Sequence, residues 1–415
     1  MKVGWVSCLF LCVVSWFAAA VTIAQESTPE NEYAALWQKV AEVVETRFYD
    51  PKFAGHDWPA IHIETAEQIK NCQTLDEARK VIDAAVHRLE TSHTAFYTDE
   101  VVEYFYLLDI FSSGPLGEEI LKRFSDGEVS YTGIGIFSES TPNGTFVTGV
   151  VDGSPAAVAG IRRGMKLLTV DGTPFSPVIS FRDKQDVAVT IRVQTSANEQ
   201  DVQELQVTPI RINPKQLMLA AIDASAIVKE VDGKRIGYVH LWSYAGEHYH
   251  QKLKDVLANQ LKDADALVLD IRDGWGGASP EYLNLFNRNI PLLAMQSRDG
   301  QTSQFDSQWR KPVALLVNSG SRSGKEVLAY GFKKYAIGPV VGERTGGAVV
   351  AGSPFLIGDH AALYLAVSGV TVDGEVLEGK GVEPDVAVPF PLEFGTTEDP
   401  QIEAAMKTLA DQLNQ

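Results

Sequence analysis

The chain has 415 residues, with 36 Lys and Arg against 54 Asp and Glu and a formal charge of −18 at pH 7. A surface this acidic argues against a nucleic-acid partner, because phosphates are held by Lys and Arg. The length allows about two to four domains with a sizeable core.

The start, "MKVGWVSCLFLCVVSWFAAAVTIA", carries one Lys, then an apolar run, then small residues, which is the layout of a secretory signal over residues 1–24. It predicts export across the inner membrane, to a periplasmic or extracellular location. Cys8 and Cys12 would leave with that segment, so the mature chain keeps Cys72 and forms no internal disulfide. No later apolar run is long enough to span a bilayer, and no stable membrane insertion is expected.

Residues 28–112 read as a helical region. Leu36, Trp37, Val40, Val43, Val44 and Phe48 recur at helical spacing and end at "FYDPKF". A second helix opens with Thr74 and Glu77 as a capping box and puts Leu75, Ala78, Val81, Ile82, Ala85, Val86 and Leu89 on one side. It stops near "RLETSHTAFYT", a loop that contains Ser92 and His93.

From 115 to 210 the pattern changes to short strands and Gly turns. "YTGIGIFSE" is a glycine-bearing loop entering a strand, and "GSPAAVAGIRRGMKLLTVDG" reads as a short helix from Ser154 to Ala159, a Gly turn and a strand. This segment resembles a PDZ domain. The resemblance implies that Gly133, Ile134, Gly135 and Ile136 form a loop whose free N–H groups hold a peptide's C-terminal carboxylate. The bland alternative is a small β-domain that binds no peptide.

Residues 213–395 alternate strands and helices. "RIGYVHLWSY", "ALVLDIRD", "PVALLV" and "PVVGER" are the apolar runs of a buried parallel sheet, and a helix is expected over 396–415. The expected fold class is therefore α+β and multidomain: a helical N-terminal region, a PDZ-like β-domain and a C-terminal α/β core. Within that core, "NSGSRSGKE" hands a strand to a helix and leaves Ser323 at the helix mouth. A serine there caps free N–H groups, or it exposes a nucleophile beside the positive helix end.

The order "SHT", PDZ-like insert, "DIRDGWGG", "GSRSGKE", "GERTGG", "GKGVEPDV" resembles the tail-specific, or C-terminal processing, serine peptidase family along nearly the whole mature chain. The resemblance implies a peptidase core of the ClpP/crotonase type and makes Ser323 the nucleophile. One family position differs: the usual general-base Lys is Ala348 here, and a methyl takes no proton. Lys325 lies two residues past Ser323, a helical spacing that does not face the two side chains together. The tricorn-core branch of the family carries a Ser-His pair ahead of its PDZ-like domain and a Glu near the C-terminus. Ser92, His93 and Glu378 match those positions, which implies His93 as base, with Glu378, directly or through Ser92, fixing its tautomer. For the oxyanion the family pattern implies Gly324 and either Gly276 or Gly277.

His248 and His250 in "EHYHQ" sit on a helix start, where alternate residues diverge, so no metal site is expected; nor is any other cofactor, since no Walker or dinucleotide loop appears. Two function classes follow. One is an exported serine endopeptidase acting on protein or peptide substrates, on unfolded segments or C-terminal tails. The other is a non-catalytic binder of an apolar ligand or peptide on the same scaffold, as in the interphotoreceptor retinoid-binding relatives. Oligomeric state is not encoded in any motif.

Overall fold

The computed structural model describes residues 29–395 and 398–415, so the signal-like segment with Cys8 and Cys12 lies outside the described residues. The four apolar runs of the C-terminal region form Lys234–His240, Ala266–Asp270, Val313–Val317 and Val340–Gly342, paired in that order and parallel. Ile227–Val231 adds antiparallel at one edge and Val386–Ala387 parallel at the other. Ala266–Asp270 and Val313–Val317 are buried at every position, as parallel strands covered on both faces must be. Alternate side chains divide between two cores: Leu267, Leu269 and Leu315 join one face, Val268, Ala314 and Leu316 the other. The second face is covered by the last helix, Pro400–Leu413, through Ala405, Met406 and Leu409.

Arg272 anchors that helix. It pairs with Asp270 at 2.6 Å and with Asp399, the helix N-cap, at 2.8 Å. Burial pushes the Asp270 carboxyl up, but Arg272 and His240 reverse this and hold it well below the usual carboxylate range. The "DIRD" stretch is thus a buried structural pair leading into the glycine loop.

Among the described residues the N-terminal region holds four α-helices, Pro29–Arg47, Trp58–Ile69, Leu75–His87 and Val102–Phe111. Thr74 caps the third by accepting from Glu77 N–H, while the Glu77 carboxylate bonds Gln73 N–H, one residue before the cap. Cys72 is buried. The region is not wholly helical, because Ala95–Thr98 is a strand. It pairs with Ala361–Ser368, which pairs with Ala351–Ile357. One core joins Trp37, Ile82, Leu89 and Phe96 to Ile357 and Leu363, so residues far apart in sequence pack as one unit.

Residues Ile136–Thr141, Gly144–Val150, Lys166–Val170, Val189–Gln194 and Val202–Val207 form a separate antiparallel sheet with its own core around Val147, Phe181 and Ile191. Ser154 caps its short helix, Pro155–Val158. Tyr131–Gly133 and Ile210–Ile212, entering and leaving this lobe, pair with each other. Among the described residues no helix is long and apolar enough to cross a membrane.

Candidate active site

The strand Val313–Val317 leads through the serine-rich turn into the helix Gly324–Lys334. Most of the turn's polar residues are structural. The Asn318 amide bonds Asp273, and the buried Ser321 hydroxyl donates to Ile271 O at 2.9 Å, so the turn is bound to the end of the neighbouring strand. Gly320 is required by contact, since a Cβ there would lie 2.4 Å from Asp273 Oδ1. Ser323 differs from its neighbours. It occupies the N-cap with φ 60° and ψ −128°, a backbone conformation that non-glycine residues avoid and that persists only when surroundings enforce it.

Glu326 is what enforces it. This fully buried carboxylate accepts from Ser323 N–H at 3.2 Å, Ala348 N–H at 2.7 Å, Gly347 N–H at 2.7 Å and the Thr345 hydroxyl at 2.6 Å, while Ser323 N–H also reaches Ala348 O at 2.9 Å. Ser323 therefore holds the cap position while remaining half-buried at the cavity wall. The sequence reading missed Glu326, although Ser-x-x-Glu is a capping-box signature.

His93 also has a left-handed backbone, with φ 55°. Its Nδ1 lies 3.0 Å from Ser92 Oγ, which donates to Glu378 Oε2 at 2.9 Å. Glu378 is fixed in turn by Ser92 N–H at 2.9 Å and Val349 N–H at 2.6 Å. The hydroxyl has one proton and a carboxylate only accepts, so Ser92 gives its proton to Glu378 and receives Nδ1–H. That leaves the Nε2 lone pair free as a base. Burial, then the positive charge of Arg322, pushes His93 down to about 4, so the ring is neutral near pH 7.

Ser92, His93, Gly276, Gly277, Ser323 and Ala348 line one cavity of about 460 Å³, and Glu378 stands behind Ser92. No hydrogen bond joins Ser323 to His93 among the described residues. The glycine loop packs on the serine turn: a Cβ on Gly276 would lie 2.7 Å from Ser323 Cβ, and one on Gly324 2.3 Å from Ala278 N. Gly277, with φ 84°, instead abuts Ala245. The N–H groups of Gly276, Gly277 and Gly324 have no acceptor among the described residues.

Lys325 is fully buried, and its ammonium donates to Asp273 O at 2.7 Å and Trp242 O at 3.2 Å. It supports the glycine loop from beneath. His250 is likewise engaged, its Nδ1 2.8 Å from the Tyr244 hydroxyl and its ring stacked on Tyr282. In the small lobe Gly133 ends a strand, Ile134 and Ile136 are buried, and Gly135 has φ 79°. No acceptor within the described residues takes the Ile134 or Gly135 N–H, and Ile136–Thr141 is an edge strand.

Residues 235–388 match the model of peptidase family S41. The chain is 25% identical to tricorn protease homolog 2 of Streptomyces coelicolor over 94% of its own length and 33% of that protein. It is 23% identical to the carboxy-terminal processing protease CtpB of Bacillus subtilis over 67% of its own length and 60% of the relative. The chain thus spans a third of the first relative and three fifths of the second. The fold of the photosystem II D1 C-terminal processing protease superposes with a TM-score of 0.51 at 20% identity, covering 92% of this chain and 98% of that one. In its matched core the chain is thus similar to peptidase family S41, and the relatives it resembles are proteases.

Proposed function

We propose that the protein is an exported serine endopeptidase that cuts unfolded segments or C-terminal tails of proteins, with Ser323 as nucleophile and His93 as base. The observation that carries this is the Glu378–Ser92–His93 hydrogen-bond chain, which orients an imidazole lone pair in the cavity that holds Ser323. In this reading Nε2 takes the Ser323 proton as the hydroxyl attacks a peptide carbonyl. The positive charge that develops on His93 is stabilised through Ser92 by Glu378. Contact between Ser323 and His93 tightens when substrate fills the cavity, as is common for catalytic hydrogen bonds in free enzymes.

The oxyanion falls to Gly324 N–H and Gly276 N–H, because Gly276 packs on the serine turn whereas Gly277 packs on Ala245. Ala348 leaves room in the cavity where a lysine base would otherwise reach in. In the small lobe, the free Ile134 and Gly135 N–H groups beside an open strand edge suit a peptide's terminal carboxylate.

A fluorophosphonate probe and casein hydrolysis test the central claim. Wild type should label and cleave, and Ser323→Ala should do neither. His93→Ala should lose most of the rate. Full hydrolysis by Ser323→Ala removes that serine from the mechanism, and a wild type inert to both assays favours a non-catalytic binder.

A further inference from the structure

The charge of the Ser323 cavity runs against that of the chain. Acidic residues outnumber basic ones 54 to 36, yet no Asp or Glu lines this cavity, while Arg322 and His87 do. His87 is compensated, because its Nδ1 lies 3.3 Å from Asp83 Oδ1. Arg322 is not compensated. It is exposed, and no hydrogen bond or ion pair joins its guanidinium to any described residue. Other cavity-forming or buried arginines contrast with it: Arg272, Arg123 and Arg163 each bond carbonyl or carboxylate oxygens.

The placement of Arg322 is built. Its stem lies across Gly346, where a Cβ would come within 2.9 Å of Arg322 Cγ. It lines the Ser323 cavity and also the adjoining groove beside the edge strand Ile136–Thr141, with Phe137, Ser138 and Trp275. That groove carries Glu103, Glu139 and Asp273, none of which lies within ion-pair distance of the guanidinium. The acids therefore stand on the groove side, and the cavity side presents a positive charge alone. That charge reaches across the cavity, since it disfavours the imidazolium form of His93.

We propose that Arg322 is a carboxylate-binding subsite of the Ser323 cavity, and that the protein prefers peptides with an acidic group beside the attacked bond. The proposal rests on reading Ser323 as the nucleophile. An extended peptide advances about 3.3 Å per residue. Because Arg322 directly precedes Ser323, a group about one or two residues from the attacked carbonyl falls within its reach. A guanidinium fork matches a carboxylate in two parallel hydrogen bonds. The carboxylate can come from an Asp or Glu side chain or from the substrate's own C-terminus.

The test uses the mature chain and quenched-fluorescent peptides in matched pairs. One series blocks both ends and exchanges Asp for Asn at each position around the cleaved bond. The other keeps a neutral sequence and exchanges a free C-terminal acid for an amide. In wild type one series should show kcat/KM about 10- to 100-fold higher for the carboxylate member, the size expected of a charge-assisted pair. The series that responds names the source. Arg322→Met should bring that ratio to about one, and Arg322→Glu should transfer the preference to Lys-containing peptides.

A wild type without a charge preference, or an equal ratio in wild type and Arg322→Met, overturns the proposal even if the variant Arg322→Glu fails to fold. Binding of labelled peptides to Ser323→Ala by fluorescence anisotropy separates the two readings. Cleavage without charge preference sinks the subsite and leaves the peptidase. Arg322-dependent binding of the acidic peptide by a chain that cuts nothing keeps the subsite and sinks the peptidase; binding of no carboxylate peptide sinks the subsite.

Discussion

Lowering the pH should leave this protein active further into acid than an ordinary histidine base allows. His93 is pushed down to about 4 from the usual 6.5, by burial first and by Arg322 second. At pH 5 a group titrating near 4 is about 90% neutral, whereas an unperturbed imidazole is about 3% neutral. If Nε2 must be unprotonated to take the serine proton, kcat/KM at pH 5 stays within about a tenth of its plateau instead of falling about thirtyfold. The assay is initial-rate hydrolysis of a quenched-fluorescent casein from pH 8 to pH 4 at constant ionic strength, with tryptophan fluorescence confirming the native state at each point. Glu378, one hydroxyl away, favours the imidazolium and opposes the shift, so Glu378→Gln should move the midpoint lower still. Arg322→Met should move it upward, because one positive charge is gone while the burial remains. A wild-type midpoint at or above 6.5 refutes the claim that this buried ring is the base.

Ser92→Ala removes the hydroxyl between Glu378 and Nδ1, and should lower kcat about 10- to 100-fold with little change in KM, read from steady-state kinetics on one peptide. Gly276→Ala places a methyl 2.7 Å from Ser323 Cβ and 2.5 Å from Arg322 O, so the loop must shift; labelling by a fluorophosphonate should slow at least tenfold, the scale of losing one oxyanion donor, and unchanged labelling would count against that loop. Lys325 is pushed down by burial to about 7 from 10.5. Between those values the unfolded chain binds a proton that the native one releases, so this group makes stability rise with pH over that window. The urea midpoint of wild type should climb from pH 7 towards 10 relative to that of Lys325→Met, and parallel profiles would show that the ammonium is not held as described.

The serine turn was legible because its signals are local. An apolar run, glycines and serines fall within a dozen residues of Ser323, and each meets its partner nearby. His93 and Glu378 came from resemblance, since they are linked through Ser92, whose contact with Glu378 joins positions 286 residues apart, and no periodicity encodes it. For the same reason the strand Ala95–Thr98 reads as loop from sequence: its partner is Ala361–Ser368. The helix Val102–Phe111 is buried on nearly every side and so shows no amphipathic stripe, which hid it. Trp58–Ile69 falls inside the region read as helical, and Asp57 and Pro59 mark the start that the reading leaves unspecified. The helical spacing of Lys325 says nothing of a long side chain running under a neighbouring loop. Arg322 carried no signal at all, because the lack of a partner is visible only in three dimensions.

The sheet that joins Ala95–Thr98 to the hairpin Ala351–Ile357 and Ala361–Ser368 also sets when chemistry can begin. A chain emerging from its N-terminus first presents a histidine without its carboxylate, then a serine on a core still lacking the segment that draws the histidine in. On the mechanism proposed above, neither half holds a complete site by itself. On that mechanism, chemistry waits until the hairpin has been made and has paired with Ala95–Thr98, so assembly itself acts as a safety catch during synthesis.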